Sequence, residues 1–436
     1  MIADSLRSFE IDAVPVATPT GRLVGASGLL LESAGCRLHT GQRCQIESVN
    51  GEWMDAQVVG FRDKLSFLMP FKKATGMTTG ARVLPLPDKA NLQIGPSWLG
   101  RMVNGLGEPI DDLGRLTGEH VLESTPPKVH PLKKKPVDEP LDVGVRAINA
   151  MLTLGKGQRV GLMAGSGVGK SVLLGIITRQ TVADVVVVGL IGERSREVRE
   201  FVEKSLGVEG LKKAVLVIAP ADESPLMRIM ATELCHSIAA HFRDQGKHVL
   251  LLVDSLTRYA MALREVALAL GEPPATRGYP PSVFSALPQL VESAGNGENQ
   301  EGSMSAIYTV LAEGDDQQDP VVDTARAILD GHIVLTRELA ERGHYPAIDI
   351  AASISRCMAQ VISQPHMLAA RALKASMARH ARVRDLIPLG AYVPGADPLT
   401  DQAVQLHPRV EAFLCQGTKE EAPLVPCVVQ LEEMMA

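Results

Sequence analysis

The stretch Gly161–Gly175, GLMAGSGVGKSVLLG, runs from an apolar segment through a glycine-rich turn into a second apolar segment, and Lys170 and Ser171 stand where the turn ends. Glycines let a backbone curl so that several N–H groups face inward, and the N-terminus of a following helix adds its positive end. The residues Ala164, Gly165, Ser166, Gly167, Val168, Gly169, Lys170 and Ser171 therefore read as a phosphate-binding loop between the strand RVGLMA and a helix beginning near Ser171. In that reading Lys170 reaches the β- and γ-phosphates of a nucleotide, and the Ser171 hydroxyl ligates Mg²⁺. The strict loop pattern wants glycine where Ala164 stands, a departure of one methyl group.

Outward from this loop the chain changes rhythm three times. From about Gly144 the apolar runs RVGLMA, VVVVGLI, AVLVIA, HVLLLVD and AIYTVLAE alternate with segments of helical spacing such as SPLMRIMATELCHSIAAHFRDQG. Buried strands alternating with helices imply an α/β fold whose parallel sheet is covered on both faces. Residues 1–85 instead carry short alternating segments (GRLVGASGLLLES, QRCQIESVN, MDAQVVGF, KLSFLM) punctuated by Gly, Asn and Asp, the pattern of a small β-barrel or sandwich. Residues 364–436 lack strand-like runs and read as a C-terminal helical domain. Residues 86–363 then form the central α/β domain with its leading linker. Part of that linker, Ser124–Pro140, is rich in Pro and Lys and reads as an exposed connection.

Two carboxylates complete a candidate site. HVLLLVDSLTR ends a buried strand on Asp254, and the carboxyl ends of parallel strands are where sheet ligands bind. Asp254 there could hold Mg²⁺ through water, although an Asp after a strand also serves as a helix cap. Glu193 follows the strand VVVVGLI and could orient an attacking water, with Arg194 keeping it ionised and steadying phosphates. The same stretch, ERSREVRE, also reads as an exposed Glu/Arg helix face. Other features read as ordinary: His236 and His241 lack partners at metal spacing, Glu313, Asp315 and Asp316 suit an exposed turn, and Met227, Met230 and Met261 suit core filling.

Composition limits the function classes. The formal net charge is −6, which argues against general polyanion binding, and with aromatics at 3% of 436 residues the core leans on Val, Leu, Ile, Ala and Met. Lys133–Lys135 read as part of a solvated loop. Trp53, Phe61 and Phe67 lack the basic cluster that a single-strand groove needs, so a ring-shaped RNA translocase ranks low and no specific nucleic acid is expected. The six cysteines show no CxxC pair and read as reduced thiols of a cytoplasmic protein. The first residues lack the pattern of a secretory signal, and VVVVGLI is too short to span a bilayer.

AGSGVGKSVLLG, GLIGERSREVREFVE and LLLVDSLTRYAMALREVALALGEPPATRGYPPSVF together resemble the type III export ATPases, relatives of the catalytic subunit of rotary ATP synthases. EGDDQQDPVVDTARAILDGHIVLTRELAERGHYPAIDIAASISR resembles the flagellar branch of that family. The resemblance implies a RecA-like P-loop core with an N-terminal β-barrel and C-terminal helices, six subunits in a ring, and nucleotide sites between neighbours. It implies Mg²⁺-dependent ATP hydrolysis with Glu193 as catalytic carboxylate and Asp254 as the Walker-B acid. Arg356 in SISR matches a finger reaching the neighbouring site, and Tyr345 in HYPAID matches an aromatic near adenine. The implied partners are a stator-like regulatory protein, a central coiled-coil stalk protein, membrane proteins of an export gate, and complexes of chaperone with export substrate. The implied place is peripheral to the inner membrane at that gate. The family's extreme N-terminus contacts the stator-like protein, and here 20 residues precede Gly21. The alternatives are a virulence-secretion ATPase, a rotary ATP synthase catalytic subunit, and a non-catalytic ring subunit, which would lack the carboxylate at position 193.

Overall fold

Alternating burial closes the first part of the chain into a barrel. Its strands are β1 (Gly21–Ser27), β2 (Leu30–Ala34), β3 (Arg43–Glu47), β4 (Trp53–Arg62), β5 (Leu65–Pro70) and β6 (Arg82–Pro85), in the closed order β1-β2-β5-β4-β3-β6. Leu23, Leu31, Ile46, Val58, Leu68 and Val83 fill the interior. The sixth strand was not evident in the sequence; it closes the barrel by pairing Val83 with Gly21. Among the barrel aromatics, Phe67 is buried and Trp53 lies under the Arg82 guanidinium, so neither forms an open stacking platform. The computed structural model describes residues 19–87, 92–122, 129–298, 302–311 and 319–436. The acidic turn with Glu313, Asp315 and Asp316 and the first 18 residues lie outside the described residues.

The chain divides into two compact units, and the barrel belongs to the first. The second unit is built on an eight-stranded sheet. In chain order its strands are β7 (Met102–Val103), β8 (Arg159–Ala164), β9 (Val185–Ile191), β10 (Ala214–Ala219), β11 (His248–Asp254), β12 (Ser303–Leu311), β13 (Gly331–Leu335) and β14 (Ile348–Ser355). The spatial order is β14-β13-β8-β12-β11-β9-β10-β7, and only β14 runs antiparallel to its neighbour. The continuous apolar runs follow from burial on both faces. Val186, Val188 and Leu190 enter one core, while Val185, Val187 and Ile191 enter the other.

The first core is covered by the helix Lys170–Gln180 and by the C-terminal helices Gln364–Val383, Pro398–Leu414 and Leu424–Met435, which contribute Leu373, Val410 and Leu431. The second is covered by Pro225–Asp244 and Pro281–Glu292. Ser224, Ser363 and Asp397 cap three of these helices by accepting backbone N–H groups, each beside a proline in the first turn. Cys36, Cys44, Cys235, Cys357, Cys415 and Cys427 are all free thiols. Among the described residues no helix is long and apolar enough to cross a membrane.

Candidate functional site

Because β8, β9, β11 and β12 are parallel, their carboxyl ends Ala164, Ile191, Asp254 and Leu311 fall on one edge of the sheet. The glycine-rich turn leaves this edge. Gly167 and Gly169 hold φ of 80° and 89°, a left-handed backbone that side chains with a Cβ rarely adopt, and Gly169 opens the helix Lys170–Gln180. Ala164 needs no such freedom. It is the last residue of β8, buried and paired with Leu311 and Leu335, and its methyl group packs in the core on one face of the sheet.

Lys170 joins the three parts of the site. Its Nζ lies 2.6 Å from Asp254 Oδ1 and 3.0 Å from Glu193 Oε1. The Lys170 and Glu193 side chains are each 12% exposed and that of Asp254 4%. Burial works against the ammonium charge, but the two carboxylates outweigh it and hold the Lys170 pKa above its ordinary value. Ser171 follows Lys170 at the same helix start and is partly buried.

Arg194 departs from the sequence expectation. Its side chain is 83% exposed and lies 3.7 Å from Glu197, so the cation beside Glu193 is Lys170. The chain turns at Gly192 and enters the helix Ser195–Glu200, and Arg194 occupies the cap position with its side chain in solvent. Arg356 lies at the opposite edge of the sheet. Ser355 pairs with Gly331 at the start of β13, and Arg356 donates to the Arg326 carbonyl at 3.1 Å. Tyr345 flanks the loop: a Cβ on Gly169 would lie 3.5 Å from Tyr345 Cε1. The Tyr345 carbonyl accepts from Gln416 N at 2.9 Å, which ties it to the C-terminal helices.

Two residues near the acids were not singled out in the sequence. Arg258 sits one helical turn beyond Asp254 and lays its stem on Gly192, where an added Cβ would come within 2.8 Å. Its Nε is buried with no hydrogen-bond partner among the described residues. The available signal was a basic residue in the first turn of the helix that follows a strand-end acid. Thr309 Oγ1 donates to Asp254 Oδ1 at 2.6 Å, and its signal was a threonine two residues before the end of the run AIYTVL. A pocket of about 230 Å³ borders the loop at Met163, Ala164 and Gly165, with Val322, Arg326 and Thr336 opposite; Lys170, Glu193 and Asp254 do not line it.

The remaining features are structural. His236 is a core residue, with Nδ1 2.7 Å from Ser293 Oγ. Met227 is buried, whereas Met230 and Met261 are only partly so. Lys133 and Lys134 pair with Glu298 and Glu292, and Lys135 with Glu139, so this basic run is already neutralised.

An apolar parallel sheet with a phosphate-type loop and two acids at its carboxyl edge defines a P-loop nucleotide hydrolase. Residues 144–355 match the ATP synthase alpha/beta family, nucleotide-binding domain, and residues 362–433 match the T3SS EscN ATPase C-terminal domain. The chain is 54% identical to the flagellum-specific ATP synthase of Pseudomonas aeruginosa, over 98% of this chain and 95% of that one. It is also similar to the assembled ATPase EscN of the enteropathogenic E. coli type III secretion system, with a TM-score of 0.87 and 41% identity over 95% of this chain and 100% of that one. EscN in complex with its central stalk EscO gives a TM-score of 0.86 at the same identity and coverage. The chain belongs to the flagellum-specific ATP synthase family, and it is an ATP-hydrolysing enzyme of flagellar type III export.

Proposed function

We propose that the Ala164–Ser171 loop and Lys170 hold the phosphates of ATP, that Ser171 and Asp254 hold Mg²⁺, and that Glu193 orients the attacking water. The observation that carries this reading is the double contact of Lys170 with Glu193 and Asp254, which joins residues 23 and 84 positions away. Ser171 and Asp254 are hard oxygen donors that suit Mg²⁺. One ammonium also answers two buried carboxylates, an imbalance that favours a further cation. Bound Mg²⁺ would neutralise charge developing on the phosphates. Lys170 would exchange its carboxylate contacts for phosphate oxygens as nucleotide enters, freeing Glu193 to accept a hydrogen bond from water.

Arg356 lies at the opposite edge of the sheet from its own loop, which suits a finger acting on a neighbour's nucleotide. A homo-hexameric ring would then complete each site. The parts divide as barrel (1–85), ATPase core with linker (86–363) and helical domain (364–436). The family membership supports a central coiled-coil stalk protein as partner, since EscN is seen with its stalk EscO. A stator-like regulator, export-gate membrane proteins and chaperone–substrate complexes complete the proposed set, with the ring peripheral to the inner membrane and hydrolysis driving release and unfolding of cargo. Mixing Arg356→Ala with Glu193→Gln tests the arrangement. Each variant alone should be inactive, and mixed rings should regain activity at interfaces pairing an intact Glu193 with an intact Arg356. No recovery in rings shown to contain both variants would refute a finger supplied by a neighbour.

A further inference from the structure

Thr309 lies two residues before the carboxyl end of β12, flanked by the buried Tyr308 and Val310. Its strand, β12, lies between β8, which leads into the phosphate loop, and β11, which ends on Asp254. A buried hydroxyl is costly unless it is bonded, and this one is fully buried and spends its proton on Asp254 Oδ1 at 2.6 Å. Lys170 donates to the same oxygen. Two donors on Oδ1 fix the carboxylate plane and leave Oδ2 outside this pair of bonds.

We infer that Thr309 is a positioning residue for the metal site: its hydroxyl sets the Asp254 carboxylate in the orientation that presents Oδ2 towards the cation of a metal–nucleotide complex. When Lys170 leaves for the phosphates, Thr309 is the donor that stays, so the orientation persists with nucleotide bound. The inference rests on the assignment of Asp254 to Mg²⁺. Partners that orient a ligating carboxylate typically affect metal affinity strongly, whereas a packing residue acts on the metal-free and metal-bound forms alike.

The test uses the full chain and a fluorescent ADP analogue, titrated with Mg²⁺ and separately bound in excess chelator. Thr309→Val keeps the shape and should raise the half-saturating Mg²⁺ concentration about tenfold, with metal-free nucleotide affinity unchanged. Thr309→Ser should restore the wild-type Mg²⁺ response. An unaltered Mg²⁺ response in Thr309→Val overturns the inference, as does an equal loss of metal-free and metal-dependent binding that serine fails to restore. If Thr309→Val does not fold, Thr309→Ala carries the same expectation. Asp254→Asn separates the two levels: if it also leaves the Mg²⁺ response intact, the assignment of Asp254 itself is wrong.

Discussion

Two groups of ion pairs, one including Glu193 and the other beginning three residues further on at Arg196, behave in opposite ways. In the first, Glu193 meets Lys170 and Asp254 at the carboxyl edge of the sheet, shielded from water. In the second, Arg196 pairs with Glu200 and Arg199 with Glu203 one helical turn apart, with arginine side chains 86% and 78% exposed. Exposed pairs of the second kind contribute little because water and salt screen them. In the first cluster, removing one partner leaves a desolvated charge without compensation. Position relative to the strand end decides which cluster a residue joins: Glu193 is two residues past Ile191, and Arg194 already belongs to the helix start.

The largest effect that could break this comparison concerns the arginines. Arg356→Ala should lower assembled-ring turnover by about 10³-fold or more, as fingers do in related enzymes, while Arg194→Ala changes it less than about twofold. Steady-state ATPase assays at matched assembly check both, and a large loss in Arg194→Ala would return that residue to the site.

Acid should find the buried groups first. Burial pulls the pKa of His236 down from 6.5 to about 3 and that of His248 to about 4. At these two positions the unfolded chain therefore binds more protons than the folded one below pH 6.5. These two groups cost no stability above that pH, and each costs up to about 1.4 kcal/mol per pH unit as pH falls towards 4. Denaturant midpoints at pH 7.5, 5.5 and 4.5 should fall in that order. At the small end, Arg199→Ala should leave the denaturation midpoint unchanged, read from the same curves.

The loop and the five long apolar strands were legible because each signal is local: glycine spacing in one case, uninterrupted burial in the other. Strands β6, β13 and β14 were not, since Arg82–Pro85 and Gly331–Leu335 are short and IDIAASIS at the sheet edge exposes Ala351, Ala352 and Ile354. Within the site, Glu193 and Asp254 were marked by strand ends and Lys170 by the glycine-rich turn. Their mutual contact depends on strand order, which a sequence read alone does not supply. For the same reason Arg194, adjacent to Glu193 in the chain, was expected as its cation, whereas the fold brings Lys170 there from 23 residues away. Thr309 reaches Asp254 only through that strand order, and Arg258 comes to rest on the turn at Gly192 only through the fold.

The most direct measurement is ATP turnover per subunit together with nucleotide binding, for the wild type, Glu193→Gln and Glu197→Gln under conditions where the protein assembles. Glu193→Gln should bind nucleotide and lose at least about 100-fold in turnover. Glu197→Gln, on the exposed helix next to it, should match the wild type. Equal turnover in all three would contradict the assignment of hydrolysis to the buried carboxylate.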